Sequence, residues 1–239
     1  MSNIFSFERF LKVLKYDLVM RVPAIGIFFL VLLIMPHVLH QMMDFGNIFP
    51  VDQRFDLCGV MCVFVVFFAP FKIYTAFRGK QELGSYLMLP ASSLEKFVSM
   101  VLVSLVLVPV SFVLSCYLLD AILCLLFSGQ YGSVVIVDYM LLLRGAYAMF
   151  ALTGAAILGN TLFKKGAPGK TLLCMLILVL LWTSVIASKF FDMLLGEGVV
   201  AVDPEVLRLW GDITAIAYFA GATLFYILAW WRIRKIQIS

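Results

Sequence analysis

Apolar positions along this chain come in long blocks. Six of them, at about 22–43, 57–77, 97–127, 134–163, 171–188 and 209–231, are separated by short segments in which the charged residues gather. An α-helix needs about 20 apolar residues to cross a hydrocarbon layer about 30 Å thick, so each block is close to one crossing. In lipid every backbone N–H and C=O must be satisfied internally, and a helix does this within a single segment. The apolar/polar alternation of a membrane strand is absent. The pattern predicts an all-α polytopic membrane protein with six transmembrane helices.

The segments between the blocks carry patterns of their own. In residues 1–21, Ile4, Phe7, Leu11, Leu14 and Leu18 recur at spacings of three and four, while Glu8, Lys12 and Lys15 line another face. This predicts an N-terminal amphipathic interfacial helix in the inner headgroup layer, followed by a six-helix transmembrane domain over 22–239. Pro23 opens the first span, where its missing N–H does no harm. The 78–96 loop predicts a short helix from about Lys80 to Met88, carrying Leu83, Tyr86 and Leu87 and ended by Pro90. Ser92 and Glu95 then have the spacing of a capping box that starts the third span. The 189–208 loop is acidic and interrupted by Gly196, Gly198 and Pro204, and its apolar half predicts a partial return into the outer interface. Pro70 and Pro109 are expected to kink their helices. Small residues predict close helix contacts at Ala151, Ala155 and Gly159, and at Ala217 and Gly221.

Composition narrows the class. Hydrophobic residues make up 64% of the 239 and charged residues 13%, against about 45–50% and about 25% in an ordinary soluble domain. The mean hydropathy is +1.06. A soluble enzyme, a nucleic-acid binder and a disordered tail are poor readings, and the six crossings leave no room for a built-in ATPase or sensor domain. Fourteen of the 18 Lys and Arg residues fall at the two ends, in the second loop and its edges, and in the fourth loop. The first, third and fifth loops hold Arg54, Lys189 and Arg208. The positive-inside rule then places both termini in the cytoplasm, with the chain in the plasma (cytoplasmic) membrane. The first span lacks the features of a cleavable signal and is expected to stay in the mature protein. The 5 cysteines lie in apolar runs and read as small hydrophobes.

Candidate chemistry is sparse. Lys165 to Thr171 looks like part of a phosphate loop, but Lys164 stands where that motif needs glycine, and no strand precedes it. His37 and His40, among Met35, Met42 and Met43, are ligands of a kind that suits copper, yet such residues also occur near interfaces without metal. No metal or cofactor is assigned. Asp120 and Arg144 are read as full charges inside spans, each 12 residues from Gly132 and so at similar depth. They are expected to form an intramembrane ion pair, or else a polar patch on a substrate path. No catalytic constellation is visible.

The N-terminal amphipathic helix, the six spans and the second loop, with Glu82 followed by Leu89-Pro90-Ala91-Ser92-Ser93-Leu94-Glu95-Lys96, resemble the membrane subunits of ABC-2-type (type II exporter) ABC transporters. The resemblance implies a permease subunit that hydrolyses nothing itself. It implies a separate ATP-binding subunit docking on a coupling helix in the 78–96 loop, with Lys80, Gln81, Glu82, Tyr86 and Leu87 as the contact. It also implies a second membrane subunit, identical or related. The alternatives from other classes are a non-transport membrane protein, such as an immunity or assembly factor, and a small ion-coupled transporter.

Overall fold

The computed structural model describes residues 5–43, 47–77, 89–134, 139–196 and 204–238, and every regular element among them is helical. Residues 43, 76, 139–144, 185–196, 204–212 and 237–238 are described by their backbone alone. Among the described residues, six helices are long and apolar enough to cross a membrane: Phe7–Met42, Val51–Ile73, Ser93–Leu126, Gly145–Leu162, Ala167–Ser184 and Ile213–Ile236. The chain is an all-α integral membrane protein.

The helices are α1 (Phe7–Tyr16), α2 (Gly26–Met43), α3 (Val51–Ile73), α4 (Ser93–Leu102), α5 (Val108–Leu126), α6 (Tyr139–Leu162), α7 (Ala167–Gly196) and α8 (Pro204–Ile238). From α1 to α2 the chain does not leave the helical path. It widens to a π-turn over Asp17–Arg21 and tightens to a 3₁₀ turn over Val22–Ile25, which holds Pro23. The amphipathic segment therefore joins the first span through altered helical hydrogen bonding. α1 buries Phe10 and Val13 and leaves Phe7 and Leu11 exposed. The predicted apolar stripe is thus largely the face offered to lipid, while the neighbouring face packs on protein.

α4 begins where expected. The Glu95 backbone N–H donates to Ser92 Oγ at 3.3 Å, and the Ser92 N–H donates to Glu95 Oε2 at 2.8 Å. This reciprocal cap satisfies two N–H groups that a helix start leaves open. Between α4 and α5, a π-turn over Val103–Leu107 stands just before Pro109. It lies where a proline would otherwise break the regular hydrogen-bond ladder.

Other boundaries differ from expectation. α3 starts at Val51, after Pro50, so Arg54 lies within the helix and is buried. The 189–208 region is not one long loop: α7 runs on to Gly196 and α8 begins at Pro204. Proline at a first helical position costs no hydrogen bond, which is why it starts this helix instead of interrupting a loop. Residues 197–203 lie outside the described set. After α5, one helical turn (Ser128–Tyr131) ends at Gly132, whose φ of 59° favours glycine.

The main core lies among α2, α3, α4, α5, α6 and α8, with Val65, Val66, Met100, Phe112, Ile157, Ala229 and Ile233 in its centre. Small residues let α6 approach its neighbours: Ala151, Ala155 and Gly159 are buried as expected. A side chain at Gly159 would run into Thr171 of α7, and one at Gly154 would meet the Tyr226 ring of α8 at 2.8 Å. The second expected stripe is corrected. Gly221 is exposed with open space beside it, and α8 instead packs through Ala222, Tyr226, Ala229 and Ile233. α7 leaves Leu172, Leu173, Leu176, Ile177 and Trp182 exposed, as suits a lipid-facing helix.

Candidate functional site

Two buried polar clusters stand out, one at each end of α3. The first surrounds the C-terminal end of α3 and the start of α4. It depends on Asp17, which the π-turn directs inward from the end of α1 and which is fully buried. Ser99 of α4 donates to Asp17 Oδ2 at 2.7 Å, and Tyr74, just past α3, donates to the same oxygen at 3.3 Å. Arg21 lies 3.4 Å from Asp17 Oδ1 and above the Tyr74 ring. A carboxylate taken out of water is stable only with such partners.

Glu95 extends this cluster. Besides capping α4, it accepts the Ser6 N–H at 2.8 Å and pairs with Arg9 at 3.1 Å, while remaining fully buried. The helix that Glu95 starts is therefore joined to the helix that Ser6 starts. Asn160 of α6 adds a further tie, donating from Nδ2 to the carbonyls of Pro70 and Tyr74 at 3.1 and 2.9 Å. These contacts hold the last turn of α3, adding a side-chain donor to carbonyls that also accept the Tyr74 and Phe77 N–H groups.

The second cluster lies at the other end of α3. Arg54 and Asp120 form a buried ion pair between α3 and α5. The other guanidinium nitrogen of Arg54 donates to the carbonyls of Tyr131 and Ser133 at 2.8 and 2.7 Å. Arg54 Nη1 also approaches Cys124 Sγ at 3.4 Å. One planar, multi-donor side chain thus closes the turn after α5 onto α3, which a single-point ammonium could not do. His37 Nδ1 meets the Tyr131 hydroxyl at 3.2 Å, and His40 stacks on Phe49 with ring centroids 4.0 Å apart. Burial pushes the Tyr131 phenol above its ordinary value, with Arg54 opposing, so it stays protonated at neutral pH.

Asp120 sits in α5, and Arg54 of α3 pairs with it. The Arg144 side chain lies outside the described residues, and so does the expected pairing of Asp120 with it. Lys80, Gln81, Glu82, Tyr86 and Leu87 also lie outside them. His37 and His40 are engaged with aromatic neighbours, and among the described residues no group of three or more His, Cys, Asp or Glu is placed to hold a metal ion. The Lys165–Thr171 stretch forms a turn and the start of α7, and the Thr171 hydroxyl is spent on the Ala167 carbonyl at 2.7 Å.

Two residues were not legible as site residues. Asp17 reads as one more charge on an amphipathic helix, although its spacing from Phe10 and Val13 puts it on their buried face. Arg54 reads as a loop residue because hydropathy falls off before it.

Two spaces complete the picture. A cavity of about 30 Å³ between α2, α3 and α5 is lined by His37, Arg54, Cys58, Cys116, Tyr117 and Asp120, among others. It has room for about one or two waters and for no larger solute. A groove of about 450 Å³ runs between α4, α6 and α8, walled by apolar side chains such as Phe97, Val101 and Phe150. The clusters offer anchoring and electrostatic coupling between helices. No protein-family model, curated protein or solved structure matches the chain.

Proposed function

We propose that this chain is the membrane-spanning permease subunit of an ABC-type exporter. It is energised by a separate ATP-binding subunit that docks on the 78–96 loop, with both termini in the cytoplasm and the protein in the plasma membrane. A second membrane subunit, identical or related, completes the pathway, and this chain hydrolyses no ATP.

The observation that carries the reading is the Asp17 and Glu95 cluster. Tyr74 and Ser99 flank the 78–88 segment in sequence, and both donate to the same Asp17 oxygen. Glu95 ties the restart of the helix to Ser6 and Arg9. A push on the loop would therefore reach α1, α3 and α4 together, because buried charge-assisted hydrogen bonds resist separation. A loop between independently mobile helices would dissipate the same force. This is the mechanical property that a coupling loop needs, and it agrees with the resemblance of the Glu82 to Lys96 segment.

The test is affinity purification of the full chain from membranes in mild detergent, with partners identified by mass spectrometry. An ATP-binding subunit at near-stoichiometric yield is expected, and Glu82→Lys or Leu87→Asp should lose it without loss of membrane insertion. Wild-type protein that captures no ATPase, or variants that retain it at full yield, would overturn the reading.

A further inference from the structure

Cys58 and Cys116 stand as a facing pair between α3 and α5. The two helices are antiparallel, because the first turn of α3 meets the last turns of α5 at the Arg54–Asp120 ion pair. That pair sets the register. One turn further along α3 from Arg54 is Cys58, and one turn back along α5 from Asp120 is Cys116. Residues four apart share a helix face, so the second rung of this ladder joins the two cysteines. A third rung follows at Cys62 and Phe112, both buried in the same core.

Two observations meet at the second rung. Cys58 and Cys116 both line the small cavity beside Arg54 and Asp120. Both are half-buried, whereas Cys62 and Cys124 are buried. We propose that Cys58 and Cys116 are a redox-active pair that closes to a disulfide linking α3 to α5.

The oxidant is a peroxide, which is small enough for the cavity. The thiolate of one cysteine attacks a peroxide oxygen, the O–O bond breaks, and the leaving hydroxide takes a proton to become water, so that a sulfenic acid forms on that cysteine. The second cysteine then attacks its neighbour's sulfur, forming the Cys58–Cys116 bond and expelling the sulfenic oxygen as a second water. The pair gives up two electrons and two protons, and the peroxide is reduced to two waters. In the proposed orientation this end of α3 faces the non-cytoplasmic side, where disulfides form and persist. The cross-link would stand one turn from the Arg54–Asp120 pair and hold α3 and α5 in the register that the pair sets.

The test does not depend on orientation. Full-length protein in mild detergent is treated with dilute hydrogen peroxide, then denatured, and its free thiols are counted with a maleimide reagent. Two fewer reactive thiols than in the reduced protein are expected. Mass spectrometry should find a peptide pair joining Cys58 to Cys116 and lighter by two hydrogens. Cys58→Ser and Cys116→Ser should each abolish that pair, while Cys62→Ser should leave it. An unchanged thiol count, or linkage of a different pair in the wild type, would overturn the proposal. Folding of the serine variants is checked by their elution as a single species of wild-type size.

Discussion

Ser99 on α4 donates a hydrogen bond of 2.7 Å to the carboxylate of Asp17, a residue 82 positions earlier and completely buried. Tyr74 reaches the same oxygen from the end of α3. The amphipathic start of the chain is thus held against the protein by a charge with few other ways to be satisfied. Ser99→Ala should cost about 1.5–3 kcal/mol, the range for a hydrogen bond to a charged group. Thermal unfolding of the purified variant in detergent would show a lowered midpoint. An unchanged midpoint would mean that Asp17 does not depend on Ser99.

The Arg54–Asp120 pair should behave as a unit. Arg54→Met leaves the Asp120 charge buried and should lose about 3–5 kcal/mol, as should Asp120→Leu. The double variant should lose clearly less than the sum of the two, because each single change mainly exposes the cost of the stranded partner. Additive losses would show that the two side chains are energetically independent.

Two glycines on different helices should respond in opposite directions to alanine. At Gly159 the added methyl meets Thr171, whose hydroxyl is already bonded to Ala167, so Gly159→Ala should destabilise by about 1–3 kcal/mol. At Gly221 there is open space, and Gly221→Ala should be neutral or stabilise by up to about 1 kcal/mol through helix propensity. Parallel melting curves decide this, and equal losses at both positions would contradict the assigned packing of α8.

Asn160 is expected to matter more than a polar residue on a lipid-facing surface would. Its amide nitrogen holds two carbonyls at the end of α3. Asn160→Leu, which removes the donor and keeps similar volume, should destabilise by about 1–3 kcal/mol. Amide exchange across the last turn of α3 should accelerate in the variant; unchanged protection there would argue against the tie.

Orientation can be read with single introduced cysteines in a cysteine-free background. Lys165→Cys lies in the basic turn before α7, and Ser128→Cys in the turn after α5, and both native residues are exposed. A membrane-impermeant maleimide added to intact cells should label position 128 and spare position 165. The reverse pattern would invert the topology and remove the 78–96 loop from the cytoplasm.

The sequence by itself determined what depends on neighbours along the chain. The length of an apolar run decides whether a segment can cross lipid, so the six crossings were legible. The reciprocal cap at Ser92 and Glu95 was legible too, because both partners lie within one turn. The inward face of α6 was readable from Ala151, Ala155 and Gly159, since their spacing is that of the helix itself. The tertiary structure alone decided which residues meet across helices. Arg54 belongs to α3, and not to a loop, where it meets Asp120 and two carbonyls, partners that begin 66 positions away. Asp17 turns inward because Tyr74 and Ser99 converge on it. A charge reads as solvated wherever its partner is distant in sequence, and burying it is favourable only once the helices have set the register that brings the partner within hydrogen-bond reach.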